Sequence, residues 1–314
     1  MTVEPVITAT GLRKSYGDKI VLDGVDLRVA KGTIFSLLGP NGAGKTTIVK
    51  ILTTLIPADA GRMRVVGHDP AGDADAVRAA IGVTGQYSAV DNLLTGRENL
   101  ALMGDLHHLG RAASRRRADE LLERFDLVEA GRKPASTYSG GMRRRLDLAM
   151  TLVGSPAVIF LDEPTTGLDP RSRRTMWETI RDLVASGVTI FLTTQYLDEA
   201  DQLADRIAVL DNGRLIAEGT ADELKRLVPG GHIELRFADP AALSAAATGL
   251  HGAALGEDEL SLRVPSDGGV RSMRELFARL DKLSIEVEEM SVHTPDLDDV
   301  FLTLTGRNDQ EPQR

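Results

Sequence analysis

The sequence predicts an α/β chain: a mainly parallel sheet covered by helices, with an antiparallel β addition and a helical insert, followed by a small α+β domain. Three observations predict it. Apolar strand-like runs alternate with helix-like stripes between about residues 34 and 204, the order that builds a parallel sheet. Two β-rich runs, Val6 to Tyr16 and Lys19 to Val29, come before that alternation and meet at Gly17-Asp18 as a hairpin. After Pro229-Gly230-Gly231, which reads as a linker, the pattern restarts with short strands and helices of its own.

The elements follow in order. Ile34 to Leu38 is an apolar strand run, and Thr47 to Leu55 reads as a helix. Pro57 to Gly61 is a turn, Arg62 to Val66 a short strand, and Ile81 to Thr84 another, leading to Gly85-Gln86. From about residue 87 to residue 154 the pattern turns helical. Thr95-Gly96-Arg97-Glu98 is a capping box opening a helix to about Leu109. A second helix runs from about Ser114 to Phe125. A third begins at Ser139-Gly140-Gly141, with Met142, Leu146, Ala149 and Val153 on one face, and Gly154-Ser155-Pro156 stops it. Val158 to Leu161 is a strand ending in Asp162-Glu163. Asp169 then caps a helix with Pro170 at its first position. Val188 to Thr193 is a buried-strand run before a helix over Leu197 to Ala204, and Asn212-Gly213 joins Ile207–Leu210 to Arg214–Glu218 as a hairpin. Thr220 caps a last helix. The first domain therefore spans residues 1–228 and the linker 229–231. In the accessory domain, 232–306, strands are expected at His232–Phe237, Glu259–Val264 and Ile285–Val292. Helices are expected at Ala241–Ala247, Val270–Leu283 and Leu297–Leu304. The polar tail 307–314 reads as disordered.

Composition sets bounds on function. At 314 residues there is room for one large domain or two ordinary ones. A content of 42% apolar and 26% charged residues is that of a soluble globular protein, and a net charge of -9 argues against a general nucleic-acid binder. Without cysteine there is neither a disulfide framework nor a thiolate metal site. No apolar run approaches the ~18–20 residues needed to span a bilayer, and the N-terminus does not read as a secretion signal. If the protein works at a membrane, another chain does the crossing.

Chemistry concentrates at Gly39-Pro40-Asn41-Gly42-Ala43-Gly44-Lys45-Thr46, with Thr47 following. The stretch fits the P-loop pattern of Gly, four free positions, Gly-Lys and Ser/Thr, between a strand and a helix. Backbone amides there can turn inward around phosphate oxygens, with Gly42 and Gly44 removing Cβ collisions. Lys45 can reach β- and γ-phosphates, and the Thr46 hydroxyl can ligate Mg²⁺. Asp162, at a strand end in the same expected sheet, can hold Mg²⁺, and Glu163 can polarise a water for attack on the γ-phosphate. Ser139-Gly140-Gly141 at a helix start reads either as a second anion site or, taken in isolation, as an ordinary N-cap with flexible glycines. The Arg143-Arg144-Arg145 run reads as a solvated helix face beside the phosphate site. The six histidines lack metal-ligand spacing.

Taken together, the P-loop at 39–46, Gln86, Ser139-Gly140-Gly141, Val158 to Glu163 and Gly167-Leu168-Asp169 make the chain, over about Val6 to Leu227, resemble the ATP-binding subunits of ABC transporters. The resemblance implies a head-to-tail homodimer in which ATP and Mg²⁺ lie between one subunit's P-loop and the other's Ser139, Gly140 and Gly141. It implies that Gln86 touches Mg²⁺ and senses the membrane permease, a separate chain. It also implies that Asp169 connects the two sites and that Tyr16 stacks on adenine, although a Tyr packed on the surface at a strand end is the alternative. Three positions depart from the family pattern: Tyr138 and Met142 around the signature, and Gln195 where a His usually contacts the γ-phosphate. A Gln amide can donate to phosphate but cannot carry a proton, which leaves Glu163 the main candidate base. Tyr138 to Arg145, Thr193 to Ala200 and the ending Asp298-Asp299-Val300-Phe301-Leu302 are similar to the daunorubicin-resistance branch of drug exporters. That implies efflux of a drug or other hydrophobic compound and a place on the cytoplasmic face of the membrane. The rival is a soluble ABC-type ATPase acting on ribosomes or nucleic acid. Such proteins usually carry two cassettes or long coiled coils, and here one cassette has only about 50 residues between Gln86 and Ser139. A P-loop kinase would not need Ser139-Gly140-Gly141.

Overall fold

The computed structural model describes residues 4–85, 88–228, 231–250, 252–256, 258, 260–266 and 269–306. Gln86, Tyr87, Pro229, Gly230 and the tail 307–314 lie outside the described residues. The chain divides into two compact units, Met1–Ala221 and Asp222–Arg314.

The first unit begins with an antiparallel pair, β1 (Pro5–Tyr16) and β2 (Lys19–Ala30), with Tyr16 opposite Lys19. Then come β3 (Ile34–Leu38), α1 (Lys45–Leu52), β4 (Ala60–Val65), α2 (Ala74–Ala80) and β5 (Ile81–Thr84). The helical insert holds α3 (Gly96–Leu106), α4 (Arg111–Arg124), a single 3-10 turn (Ala135–Thr137) and α5 (Gly140–Thr151). The unit continues with β6 (Val158–Asp162), α6 (Pro170–Ala185), β7 (Thr189–Thr194), α7 (Leu197–Leu203), β8 (Arg206–Asp211) and β9 (Arg214–Gly219). One sheet has the order β2-β1-β4. The other, β5-β6-β7-β3-β8-β9, is parallel through β8, and β9 closes it antiparallel. α8 (Ala221–Lys225) straddles the division. The second unit carries β10 (His232–Arg236), α9 (Pro240–Gly249), β11 (Ala254–Leu255), β12 (Ser261–Pro265), α10 (Val270–Leu283), β13 (Glu289–His293) and α11 (Leu297–Thr305). Its sheet order is β11-β12-β10-β13, and Ile233, Leu235, Phe237, Leu262, Leu276 and Leu280 lie in its core.

Parallel strands buried on both faces must send alternate side chains into different cores. That is what β3, β6 and β7 do. Phe35, Leu37, Phe160 and Phe191 enter the core shared with α1 and the β2-β1-β4 sheet. Ile34, Ile159, Leu161, Ile190 and Leu192 enter the other core, with Leu146 of α5 and Ile180 of α6. Local signals behave as their chemistry demands. Thr95 and Glu98 form a reciprocal capping box at α3, and Asn212 and Gly213, at φ 45° and 77°, make the two-residue turn between β8 and β9.

Some boundaries differ from the sequence reading. The helix after the P-loop begins at Lys45 and ends at Leu52, because Thr54, at φ 65°, leaves the helical region. α2 was not expected, since Val77 is its one buried residue and no stripe announces it. The last strand starts at Glu289. Ile285 and Val287 pack against the second core ahead of it.

Phe191 sits between Phe35 and Phe160, with both centroid distances 5.4 Å. Truncation at the middle of this stack opens a cavity that two rigid rings cannot collapse into. Phe191→Ala should cost about 3–5 kcal/mol, read as a lowered chemical-denaturation midpoint with the slope unchanged; a shift of a few tenths would show that this core repacks freely.

Candidate active site

Register lines up the C-terminal ends of three strands. Leu38 pairs with Thr194 and Asp162 with Thr193, so the loop leaving β3 and the carboxylates leaving β6 emerge along one edge. A crevice at that edge is where open α/β sheets take ligands. Gly39 N–H donates to the Thr194 carbonyl at 3.3 Å, which anchors the start of the loop. Gly44 has φ 111°, and a Cβ there would stand 2.7 Å from Leu22 Cδ2 and 3.0 Å from the Val21 carbonyl oxygen. Both the backbone and the space require glycine.

The loop encloses a cavity of about 270 Å³ lined by Tyr16, Val21, Asn41, Gly42, Gly44, Lys45, Thr46, Thr47 and Glu163. Lys45 Nζ donates to the carbonyl oxygens of Gly39 (2.7 Å) and Pro40 (3.1 Å) and lies 3.8 Å from Glu163 Oε1. Burial pushes the Lys45 pKa down, and the Glu163 and Asp162 carboxylates oppose that shift. Ala43 is buried, with its N–H on the Pro40 carbonyl at 3.3 Å. Tyr16 is half exposed at the rim, with Lys14 Nζ 5.6 Å from its ring centroid.

Asp162 is buried and accepts from the Thr46 hydroxyl (3.0 Å to Oδ2) and from the Thr193 hydroxyl (2.5 Å to Oδ1). A hydroxyl and a carboxylate from distant parts of the chain thus offer hard oxygen donors at one point, a set suited to Mg²⁺. Among the described residues no cluster of three or more His, Cys, Asp or Glu could hold a metal alone, so a cation here needs oxygens from a bound phosphate and water as well. Glu163 follows with φ 50°, a left-handed conformation that costs an ordinary residue roughly 1–2 kcal/mol. Its N–H donates to the Thr193 carbonyl (3.1 Å) and hydroxyl (3.2 Å), and its Oε2 accepts from the Thr166 hydroxyl at 3.3 Å. Gln195, one residue past β7, is half-buried.

Ser139 and Asp169 belong elsewhere in the same unit. Ser139 Oγ accepts from Met142 N–H at 3.2 Å as the cap of α5. Asp169 Oδ1 accepts from the N–H groups of Arg171 and Ser172, both at 3.0 Å, and its Oδ2 from the Ser172 hydroxyl at 2.7 Å. These bonds, the Ser172 hydroxyl first, hold its carboxyl pKa below the ordinary value. Gly141 abuts this second cap, where a Cβ would stand 2.7 Å from Ser172 Oγ. Ser139 and Gly141 line a separate cavity of about 230 Å³ with Asp126, Met142, Arg145, Arg171, Ser172 and Thr175. The two cavities share no lining residue among those described.

The triple-arginine run corrects the sequence reading. Arg144 is largely buried and Arg145 is tied to the Phe125 carbonyl (2.9 Å) and to Asp126, so the run is not a solvated face. Arg144 pairs with the buried Asp147 at 3.2 Å, and Asp147 also accepts from Ala89 N–H at 3.0 Å. A second buried carboxylate also escaped the sequence reading. Glu199 Oε1 accepts from the Thr165 hydroxyl (2.8 Å) and from Trp177 Nε1 (3.1 Å), joining the loop after Glu163 to α6. The i,i+3 spacing of Arg144 and Asp147 was the one available signal; Glu199 offered none.

Comparison with known proteins matches residues 22–166 to the ABC transporter family model. The daunorubicin resistance ATP-binding protein DrrA3 of Streptomyces coeruleorubidus is 53% identical, with 96% of each chain covered. The Nod factor export ATP-binding protein I of Ralstonia nicotianae is 41% identical over 96% of this chain and 94% of its own. Among solved structures, a nucleotide-free ATP-binding cassette from an ABC transporter superposes with a TM-score of 0.65 at 26% identity, covering 71% of this chain and 94% of that one.

Burial raises the Glu199 carboxyl above its ordinary value of 4.5, against the bonds from Thr194, Thr165 and Trp177. The native state therefore keeps a proton that the unfolded chain releases. Stability from this group is full below the unfolded value and falls as the pH rises through the window above 4.5 toward the raised native value. Glu199→Gln, which cannot ionise, should flatten that decline in denaturation midpoints measured from pH 4.5 upward. Parallel curves for the two proteins would show that the carboxyl is not raised.

Proposed function

The chain belongs to the ABC transporter family as one of its ATP-binding subunits, and from that premise we propose that it powers an exporter of drugs or similar hydrophobic compounds. It binds ATP and hydrolyses it to ADP and phosphate, and subunits of this kind dimerise and work with a separate membrane permease. Drug export rests on relatives whose names speak of daunorubicin resistance and Nod factor export, similar along nearly the whole chain. No helix among the described residues is long and apolar enough to cross a membrane, which fits a subunit that attaches to its permease at the cytoplasmic face. Nucleic acid has no place in this reading, and nothing observed favours a ribosome-directed ATPase.

The observation that carries the proposal is the separation of the two cavities. Residues of the Gly39–Thr47 loop line one cavity, while Ser139 and Gly141 at the start of α5 line another. A second copy of this chain, packed head to tail, brings the missing wall to each nucleotide. Lys45 then binds the β- and γ-phosphate oxygens, with Gly39 through Thr47 supplying amides and hydroxyls. Tyr16 stacks against the adenine. Thr46, Asp162 and Gln86 hold Mg²⁺, which neutralises charge building on the phosphates. Glu163 takes the proton of the attacking water, and Gln195 orients phosphate and water by donating from its amide. Asp169, bonded to the start of α6 beside Gly141, links the two sites across the dimer. The ATPase domain, 1–228, and the linker, 229–231, precede an accessory domain, 232–306, that tunes closure or braces the permease contact.

Lys45→Ala should lower ATP turnover by roughly 10²–10³-fold with the fold kept, as when one charge-stabilising group is removed. Glu163→Gln should cut ATP turnover to a small but measurable residual rate and double the mass seen by light scattering when ATP is added. A monomer at every ATP concentration would remove the shared-site reading. A chain ending at Val228 should bind a fluorescent ATP analogue as tightly as the full chain; loss of binding would place the division of labour between the domains elsewhere.

A further inference from the structure

Arg144 lies on α5, the helix that Ser139 caps, yet its bonds run to backbone on both sides of Glu163. Nε donates to the Pro164 carbonyl at 2.9 Å and Nη2 to the Asp162 carbonyl at 3.4 Å. Nη1 donates to Asp147 Oδ2 at 3.2 Å and to the carbonyl of Gly85, the residue after β5, at 2.9 Å. Between the two flanking carbonyls Glu163 holds its left-handed φ of 50°. A residue persists in that region where its surroundings over-determine it. The Thr193 carbonyl and hydroxyl hold the Glu163 N–H from one side, and the Arg144 fork holds the neighbouring carbonyls from the other. Asp147 supplies the counter-charge that lets a guanidinium sit largely buried, at 11% side-chain exposure against 3% for its partner.

We propose that Arg144, held by Asp147, is a positioning residue for the hydrolytic step. It locks the backbone around Glu163 so that the carboxylate stays beside Lys45, and it ties that lock to the helix beginning at Ser139. The planar fork matters, because it reaches three carbonyls in two segments at once; a lysine at this place keeps the charge and loses the geometry. The inference rests on Glu163 being the base.

The test is a mutant cycle in the full-length chain, reading kcat and KM for ATP, and the affinity for a fluorescent ATP analogue. Arg144→Lys should lower kcat by about tenfold or more, since a misplaced catalytic group is costly. KM and analogue affinity should stay within about twofold, because the phosphate loop is untouched. In a Glu163→Gln background the same change should cost nothing further, as a residue acting only through Glu163 requires. An unchanged kcat, a loss confined to nucleotide affinity, or an equal loss in both backgrounds would overturn the proposal. Should Arg144→Lys not fold, the paired change Arg144→Met with Asp147→Asn leaves neither half of this ion pair charged and must show the same selective loss of kcat; wild-type kcat there overturns the proposal equally. Wild-type turnover in Glu163→Gln alone would sink the base assignment, separately from the role of Arg144.

Discussion

In-register parallel pairing of β6, β7 and β3 is the constraint on which the site depends. It sets the last residue of each strand at one edge, so the loop from β3 and the carboxylates from β6 share a crevice although 116 residues separate Thr46 from Asp162. A slip of one residue in β6 would swap every side chain between faces. Phe160 would leave its stack with Phe191, and Asp162 would lose the Thr193 hydroxyl. The large difference in shape between the Phe-lined core and the Ile/Leu-lined core is what makes such a slip costly. Packing on both faces of the sheet therefore guards the chemistry at its edge.

The edge in turn concentrates charge where water is scarce. Lys45, Asp162, Arg144 and Asp147 are buried or nearly so, and a charge out of water must be answered by partners. Lys45 is answered in part by two carbonyls and the nearby carboxylates, and burial still pulls its pKa down. A triphosphate offers it charged oxygens, which bind an ammonium more strongly than carbonyl dipoles do. Burial pulls the Arg144 pKa down as well, yet its guanidinium already donates to one carboxylate and three carbonyls of its own chain. The contrast separates the roles: the lysine awaits a ligand, while the arginine serves as a fixed part of the frame.

What the sequence made legible follows the same division. Features decided by a few consecutive residues could be read directly: the glycines and Lys45 of the loop, the Thr95–Glu98 box, Asp169 ahead of Pro170, and the Asn212-Gly213 turn. α2 escaped because a single buried Val77 makes no stripe. Arg144 was misplaced because the stripe of Met142, Leu146, Ala149 and Val153 marks only one face of α5. Periodicity says nothing of what covers the opposite side, and here it is the backbone around Glu163 and Gly85. Glu199 escaped for the same reason, its partners lying 34 and 22 residues earlier in the chain. Long-range polar pairing leaves no local trace.

The same logic bears on how a bound nucleotide does work. A ligand shifts an equilibrium only by the difference in its affinity for the two states. One chain offers ATP the P-loop cavity whether alone or associated, so those contacts tighten binding without favouring closure. On the proposed reading, the contacts that discriminate are those to Ser139, Gly140 and Gly141 of a second copy, which exist only when two chains meet. The γ-phosphate is the terminal group of the triphosphate, and hydrolysis would remove it from that contact. On that reading, binding energy invested in loop contacts holds nucleotide, and binding energy invested in the second copy's amides moves the permease. Loss of the γ-phosphate would end the second copy's contacts, while the loop would keep those it makes to the remaining diphosphate.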